Sequence, residues 1–306
     1  MAANCLSKTL AAHCAAPPLW HWRGKVKSWQ LDFNRPTVMG IVNVTHDSFS
    51  GDGSQTVQRA IAQGLQMARD GADILDIGGE STRPGADPVS LEEELRRVVE
   101  VVRTLSETLD IPISVDSSKP EVMEAVLEAG AALINDVTAL AGDPGQSRSI
   151  AAVLAEADCP LILMHMRGKP ATMQQAPHYD HVLSEVYGFL AERMDFCLEN
   201  GIKPNRLMVD PGIGFGKEAV HNLTLMSRQR TLCGLGAPLL LGLSRKRIVG
   251  QLAREPVANR RDVGSHVLAA LGYLAGAAVF RVHDVAGAKQ ALSVASGWWN
   301  GLEETV

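Results

Sequence analysis

The sequence predicts an α/β fold, a closed (β/α)8 TIM barrel, and three observations lead to that class. Short apolar runs alternate with longer segments of helical period from Val38 onward. The runs are mainly apolar and do not alternate with polar residues, which is typical of parallel strands that are buried on both faces. There are eight of them, the number that closes a barrel of about 250 residues. An open, doubly wound sheet is the fallback.

Each predicted strand is a short run with polar residues at or directly after its carboxyl end. In chain order, the runs are Val38–Val44, Ile74–Gly78, Ile113–Asp116, Leu133–Val137, Leu161–Met166, Leu207–Asp210, Leu239–Leu243 and Val279–Val282.

The segments between these runs carry helix signals. Ser90–Leu109 repeats apolar residues at helical spacing, and Ser90 followed by Glu93 fits a capping box at its start. Pro120 suits the first turn of the next helix, because its missing N–H would be unpaired there anyway. Glycines follow helical stretches where a left-handed C-cap is expected, at Gly71, Gly130 and Gly201.

The residues before the first strand have a different character. Trp20–Pro36 is expected to form a hairpin that closes the barrel floor, and residues 1–19 are expected to be a disordered extension. No linker composition interrupts the rest, so residues 20–306 are interpreted as one barrel domain.

Composition excludes several classes of function. The net charge of −5 gives no basic field for nucleic acid, and no apolar run approaches the eighteen residues or so that cross a membrane. The five cysteines include no Cys-x-x-Cys pair, which argues against a zinc ribbon or a disulfide scaffold. We therefore expect a cytoplasmic enzyme with reduced thiols.

Polar side chains stand at the carboxyl end of every predicted strand, the face at which barrel enzymes build their sites. They include Asn43, Asp116, Asn135, His165, Asp210, Ser244, Lys246, Arg281 and His283. Carboxylates, an amide and an ammonium without a nucleophile–base pair suit a flat, nitrogen-rich heterocycle. The cations at the last two strand ends suit a phosphorylated ligand, and the neutral oxygen of Asn43 suits Mg²⁺.

Each of these residues also has a structural explanation when it is taken singly. Asp116 is able to cap the following helix, His165 to be a hydrogen-bonded core histidine, and Lys246 to extend from the rim into water. The Trp298–Trp299 pair is interpreted as packing or a dimer contact.

The common nucleotide and hydrolase motifs are missing. Gly212–Lys217 resembles a P-loop only superficially, because Pro211 stands in place of the first glycine and Glu218 in place of Ser or Thr. The sequence contains no His-Glu-x-x-His and no Gly-x-Ser-x-Gly motif.

The strand-end segments together resemble the signatures of the dihydropteroate synthase family. The resemblance runs from Val38 to the C-terminus, in family order, through Met39–Ser50, Gly71–Gly85, Ser114–Asp116, Ile134–Asp136, Met164–Met166, Asp210–Lys217, Ser244–Lys246 and Arg281–Asp284. It implies a (β/α)8 barrel, dependence on Mg²⁺ and a homodimer. The implied reaction joins 6-hydroxymethyl-7,8-dihydropterin diphosphate to 4-aminobenzoate in folate synthesis, with release of diphosphate.

The resemblance also implies a role for each matching residue. The pterin ring is expected to bind to Asp116, Asn135, Asp210 and Lys246, and its diphosphate to Thr82, Arg281 and His283. The 4-aminobenzoate pocket is expected to be framed by Arg83, Pro84, Phe215 and Ser244, and Asn43 is the expected Mg²⁺ ligand.

The first loop departs from the family pattern. His46 stands where a proline is common, and the acidic residue that usually follows the serine is displaced to Asp52. The resemblance implies Lys246, Arg281 and His283 as candidate catalytic residues, and Asp52 is added as the displaced acidic residue.

Two other functions remain open at this point. A pterin-binding methyltransferase would need the pterin contacts without the phosphate and aminobenzoate segments. A non-catalytic paralogue would bind pterin without releasing diphosphate. The segments Ser81–Pro84 and Ser244–Lys246 favour the synthase over the methyltransferase.

Overall fold

Strands and helices alternate along the chain in the computed structural model, which describes residues 19–44, 53–81, 87–142, 144–168, 170 and 172–301. The strands are β1 Leu19–Arg23, β2 Ser28–Asp32, β3 Thr37–Asn43, β4 Ile74–Gly78, β5 Ile113–Asp116, β6 Leu133–Asp136, β7 Leu161–Met164, β8 Leu207–Asp210, β9 Leu240–Leu241 and β10 Val279–Val282. The helices are α1 Gly53–Arg69, α2 Leu91–Thr108, α3 Pro120–Glu128, α4 Pro144–Glu156, α5 Val182–Glu199, α6 Ala219–Ser227, α7 Arg230–Cys233, α8 Arg247–Ala253, α9 Asp262–Leu274 and α10 Val285–Asn300.

Eight of the strands form one parallel sheet in the order β8-β7-β6-β5-β4-β3-β10-β9. The two ends of this order meet, because Val209 of β8 forms a parallel bridge with Leu239 just before β9. The Val209 amide donates to the Pro238 carbonyl at 3.0 Å in the same place. The sheet is therefore closed, which confirms the predicted barrel and sets aside the open doubly wound sheet.

The strand boundaries differ from the predicted ones by at most two residues, and most of the differences lie at the carboxyl ends. β4, β5, β8 and β10 have the predicted bounds, whereas β9 retains only two of five predicted residues. Leu243 already belongs to a turn there, since its carbonyl accepts from the Lys246 amide at 3.2 Å. Apolar composition predicts burial, but it does not show where the backbone leaves the ladder.

The N-terminal hairpin closes the barrel floor as predicted. β1 and β2 pair antiparallel, with Trp20 opposite Leu31 and Trp22 opposite Trp29. The Trp20 side chain is fully buried against the first inward residues of the barrel strands, and Trp22 Nε1 donates to the Ala132 carbonyl at 2.9 Å. Of the predicted N-terminal extension, Leu19 belongs to β1, and residues 1–18 lie outside the described residues.

The predicted helix signals are present in the structure. Ser90 caps α2 by accepting from the Glu93 amide at 3.3 Å, while the Glu93 carboxylate accepts from Arg96 and Arg97. Pro120 is the first residue of α3. The three glycines that follow helices have φ angles of 94°, 106° and 90°, at Gly71, Gly130 and Gly201.

The helices of the described residues pack around the barrel. Their inward faces bury an apolar layer against the outer face of the sheet, with Val98, Val102 and Leu105 of α2 fully buried. In the described part of the chain, no helix has both the length and the apolar character needed to cross a bilayer.

Candidate functional site

A cavity of about 1140 Å³ opens at the carboxyl ends of the barrel strands. Its walls come from several strand ends and the turns that follow them, as expected for a barrel site. Side chains that line it include Asn43, Glu80, Asp116, Gln174, Phe215, Lys217, Ser244, Lys246, Arg247, Arg281 and His283.

A guanidinium group lies between two carboxylates in one wall of this cavity. Arg281 of β10 donates from Nε to Asp76 at 2.5 Å and from a terminal nitrogen to Asp116 at 2.8 Å. Asp76 also accepts from Asn135 Nδ2 at 3.1 Å. Arg281 and Asp116 line the cavity, and the fully buried Asp76 lies behind them. The positive charge of Arg281 compensates one of the two carboxylates in this low-dielectric site. The same bonds hold Asp116 and Asn135 in fixed positions.

Burial raises the pKa of Asp116 to about 7, although the Arg281 guanidinium opposes this shift. Asp116 is the last residue of β5 and is bonded to Arg281, whereas α3 begins at Pro120 with Lys119 as its N-cap. The helix-capping explanation for Asp116 is therefore wrong.

Asp76 received no role in the sequence analysis. It lies in the apolar run Ile74–Gly78, where an aspartate is out of place. A buried carboxylate requires a partner. An aspartate inside this apolar run was therefore sufficient to predict a buried ion pair or hydrogen bond at Asp76. Its partner Arg281 lies 205 residues further along the chain.

A second pair of opposite charges lies where β8 and β9 end. Asp210 is buried, and its Oδ1 accepts from the Gly212 amide at 2.7 Å. The ammonium of Lys246 bonds to the Ile213 carbonyl and lies 4.5 Å from the centre of the Phe215 ring. Burial lowers the pKa of Lys246 to about 8, against the opposing charge of Asp210. The Lys246 side chain therefore lines the cavity and does not extend away from it into water.

Ser244 connects the last two strand ends. Its hydroxyl oxygen lies 2.9 Å from His283 Nδ1 and also accepts from the His283 amide at 3.1 Å. The two residues that the sequence assigned to different substrates are therefore in direct contact.

Asn43 is a suitable ligand for a hard cation. It is the last residue of β3, its side chain is exposed, and it lines the cavity. Within the described residues, no group of three or more His, Cys, Asp or Glu side chains is able to hold a metal ion. A cation with one neutral protein oxygen and otherwise water and phosphate ligands matches the preference of Mg²⁺.

The structure brings most of the predicted site residues together. Asn43, Asp116, Phe215, Ser244, Lys246, Arg281 and His283 line the cavity. Asn135 and Asp210 are buried and do not belong to the lining; Asn135 donates to Asp76, and Asp210 accepts from the Gly212 amide. Asp52, Thr82, Arg83 and Pro84 lie outside the described residues.

His165, one of the polar residues at the predicted strand ends, forms a buried pair with Lys217, to which the sequence analysis gave no role. Lys217 Nζ lies 2.9 Å from His165 Nδ1, and both side chains are almost fully buried. His165 is therefore hydrogen-bonded inside the protein, as its structural explanation required. Lys217 was considered in the P-loop comparison and in the family-like segment Asp210–Lys217, and no local signal placed it beside His165.

Comparisons with known proteins agree with this geometry. A family profile described as pterin binding enzyme matches residues 39–283. The dihydropteroate synthase of Escherichia coli K12 is 43% identical over 265 residues, which cover 86% of this chain and 92% of that protein. The chain also resembles two solved structures of the Xanthomonas albilineans enzyme, each covering 89% of this chain and 94% of the other. The structure with 4-aminobenzoic acid has a TM-score of 0.80 at 48% identity. The complex with 7,8-dihydropteroate has a TM-score of 0.76 at 44% identity.

Proposed function

The chain belongs to the dihydropteroate synthases of the pterin-binding enzyme family, and we propose that the cavity at its barrel mouth performs their reaction. The enzyme joins 6-hydroxymethyl-7,8-dihydropterin diphosphate to 4-aminobenzoate and gives 7,8-dihydropteroate and diphosphate, a step of folate biosynthesis. The observation that carries the assignment is the cavity itself, in which a carboxylate–guanidinium wall faces the Lys246 ammonium.

The pterin ring binds against the buried polar groups. Its N–H donors require carboxylate or amide acceptors, which Asp116, Asn135 and Asp210 supply, and its carbonyl requires a donor, which Lys246 supplies. Asp76 holds Asn135 and Arg281 in place. A planar ring with donors on one edge is thereby oriented before any bond breaks.

The diphosphate leaving group lies beside the basic residues at the end of the last strand. Arg281 and His283 both line the cavity, and Ser244 holds the His283 ring. Positive charge placed where the leaving oxygens gain negative charge stabilises the transition state. The C–O bond breaks with its electron pair leaving on the diphosphate, and the electron-rich dihydropterin delocalises the positive charge on its methylene carbon.

The arylamine attacks that carbon from the side of Phe215. The amine of 4-aminobenzoate is weakly basic and is unprotonated at neutral pH, so no dedicated base is required to activate it. The site accordingly contains positioning groups rather than a nucleophile–base pair. The new C–N bond forms as the amine loses one proton to solvent.

We also propose that the reaction uses Mg²⁺, which the oxygen ligands available in this site suit. Asn43 would hold it, with water and diphosphate oxygens as its other ligands. When bound, the ion neutralises charge on the diphosphate as a Lewis acid.

A homodimer is proposed to form through the exposed apolar stripe on α9. Val263, Val267 and Leu271 lie four residues apart on one side of this helix, and Val263 is 76% exposed. A self-complementary apolar stripe suits a second copy of the same chain. Val267→Glu should convert the dimer to a monomer in analytical ultracentrifugation, and an unchanged dimer would place the interface elsewhere.

A cytoplasmic location is also a proposal. Cys159 and Cys197 are buried free thiols, and burial raises the pKa of each to about 12. Such thiols suit a reducing compartment. Fractionation of cells that express the protein tests this location.

The reaction is tested by measuring diphosphate release from the dihydropterin diphosphate with Mg²⁺, with and without 4-aminobenzoate. Release that requires both Mg²⁺ and the arylamine, with 7,8-dihydropteroate formed in equal amount, is the expected result. Lys246→Met should remove most of this activity. Lys203→Met changes a lysine that is 61% exposed and paired with Asp158, so it should retain full activity.

Other outcomes separate the alternative functions. Binding of the dihydropterin diphosphate without release of diphosphate would indicate a binding paralogue. Full activity with EDTA would refute the proposed Mg²⁺ dependence while leaving the reaction assignment intact.

A further inference from the structure

The turn that follows β8, residues 212–216, lies directly on the segment that follows β7. Gly212 and Gly216 both have positive φ angles, of 64° and 61°. A Cβ atom on Gly212 would lie 1.9 Å from the His165 carbonyl oxygen, and one on Gly216 would lie 2.2 Å from the Arg167 carbonyl oxygen. Only glycine fits at these two positions, so the backbone of this turn is packed closely against its neighbour.

Every carbonyl of this turn has a specific donor. Gly212 and Phe215 accept from Lys217 Nζ at 2.9 and 3.0 Å. The donors to the other three carbonyls come from three different segments. These pairs are Lys246 to Ile213, Gln174 to Gly214, and the Tyr179 hydroxyl to Gly216.

Among the described residues, Lys217 is the one that bonds the turn at two points and also bonds it to His165, directly after β7. Its side chain is 2% exposed, and His165 Nδ1 lies 2.9 Å from Nζ. The three N–H groups of an ammonium therefore have three partners within 3.0 Å. Burial lowers the pKa of both partners, that of His165 to about 3 and that of Lys217 well below its ordinary value, so the His165 ring is neutral.

We infer that Lys217 is a positioning residue for the arylamine half of the reaction. Through the Phe215 carbonyl it holds the backbone that carries the Phe215 ring, and the centre of that ring lies 4.5 Å from Lys246 Nζ. Two groups of the pterin site bond to this turn, Asp210 at the Gly212 amide and Lys246 at the Ile213 carbonyl, but neither bond includes Lys217. The Asp116–Arg281 wall has no bond to the turn among the contacts of the described residues. Removal of the Lys217 ammonium should therefore affect 4-aminobenzoate more than the dihydropterin diphosphate.

The inference rests on the proposed function, and the steady-state kinetics of Lys217→Met separate the two. Methionine keeps the length of the side chain but removes all three donors. We expect the KM for 4-aminobenzoate to rise about tenfold or more, while the KM for the dihydropterin diphosphate stays within twofold. Lys203→Met, the exposed lysine control, should leave both constants unchanged.

Asn222→Ala provides a second test that removes no charge. Asn222 Oδ1 accepts from the Gly214 amide at 2.8 Å, and its Nδ2 donates to the Glu218 carbonyl at 2.9 Å. Loosening the same turn from this side should give the same selective rise in KM for 4-aminobenzoate, and this variant decides the question if Lys217→Met does not fold.

Two results would overturn the inference. One is an equal rise in both KM values, which would indicate that Lys217 acts only on the stability of the fold. The other is an unchanged KM for 4-aminobenzoate in the folded variants. A wild-type enzyme that releases no diphosphate would instead refute the proposed function.

Discussion

Replacing Asp76 with asparagine should destabilise the barrel and remove most of the activity. Asp76 is fully buried and accepts from both Arg281 Nε and Asn135 Nδ2. The substitution keeps the shape of the side chain but removes its negative charge. Among the described residues, Arg281 then keeps its ion pair with Asp116, at 2.8 Å.

The size of the effect follows from the burial of this pair. Removing one partner of a buried ion pair costs about 3–5 kcal/mol, because it leaves an uncompensated charge. The retained contact to Asp116 places Asp76→Asn near the lower end, at about 3 kcal/mol. For a large domain, about 2 °C of Tm per kcal/mol gives a decrease of about 6 °C.

Thermal unfolding followed by circular dichroism measures this change, and the diphosphate-release assay measures the accompanying loss of activity. Asp110→Asn is the matched control, since Asp110 is fully exposed and its ion pair with Lys27 is long, at 3.5 Å. Its Tm should equal that of the wild type. A decrease of less than about 2 °C for Asp76→Asn would refute the reasoning. It would show that the negative charge of Asp76 does not stabilise the buried Arg281 guanidinium.

Three further predictions concern the cavity itself. Because Asp116 is charged only above a pKa of about 7 and Lys246 only below about 8, kcat/KM for the dihydropterin diphosphate should be highest between these values and fall on both sides; a flat profile from pH 6 to 9 would contradict it. Ser244→Ala removes both bonds to His283, so the KM for the dihydropterin diphosphate should rise about two- to tenfold, as expected for one or two hydrogen bonds; an effect confined to 4-aminobenzoate would show that the contact does not matter for the phosphates. Arg247 is an exposed cation in the cavity wall, and Arg247→Ser should raise the KM for the anionic 4-aminobenzoate by a few-fold at low salt and less at high salt; no salt dependence would exclude a charge contact.

The sequence was sufficient for those parts of the fold that depend on local pattern. Apolar runs predicted all eight barrel strands, and four of them have the predicted bounds, because burial on both faces leaves a direct signature in composition. The glycines at the helix ends are predictable for a similar reason, since the left-handed conformation at Gly71 and Gly130 favours one residue type.

The sequence was also sufficient to predict that the polar residues at the strand ends lie together. Parallel strands bring their carboxyl ends to one face, so Asp116, Lys246 and Arg281 were expected to meet, and all three line one cavity. Barrel topology alone does not specify which of these charges bind to one another.

Only the closed barrel decides those pairings. Arg281 meets Asp116 across 165 residues of sequence because β10 pairs with β3, which places it near β4 and β5. Lys217 meets His165 because a glycine-rich turn brings its backbone against the end of β7. Hydrophobic pattern reports how deeply each residue is buried, whereas the partner of a buried charge depends on strand order and on the path of the turns.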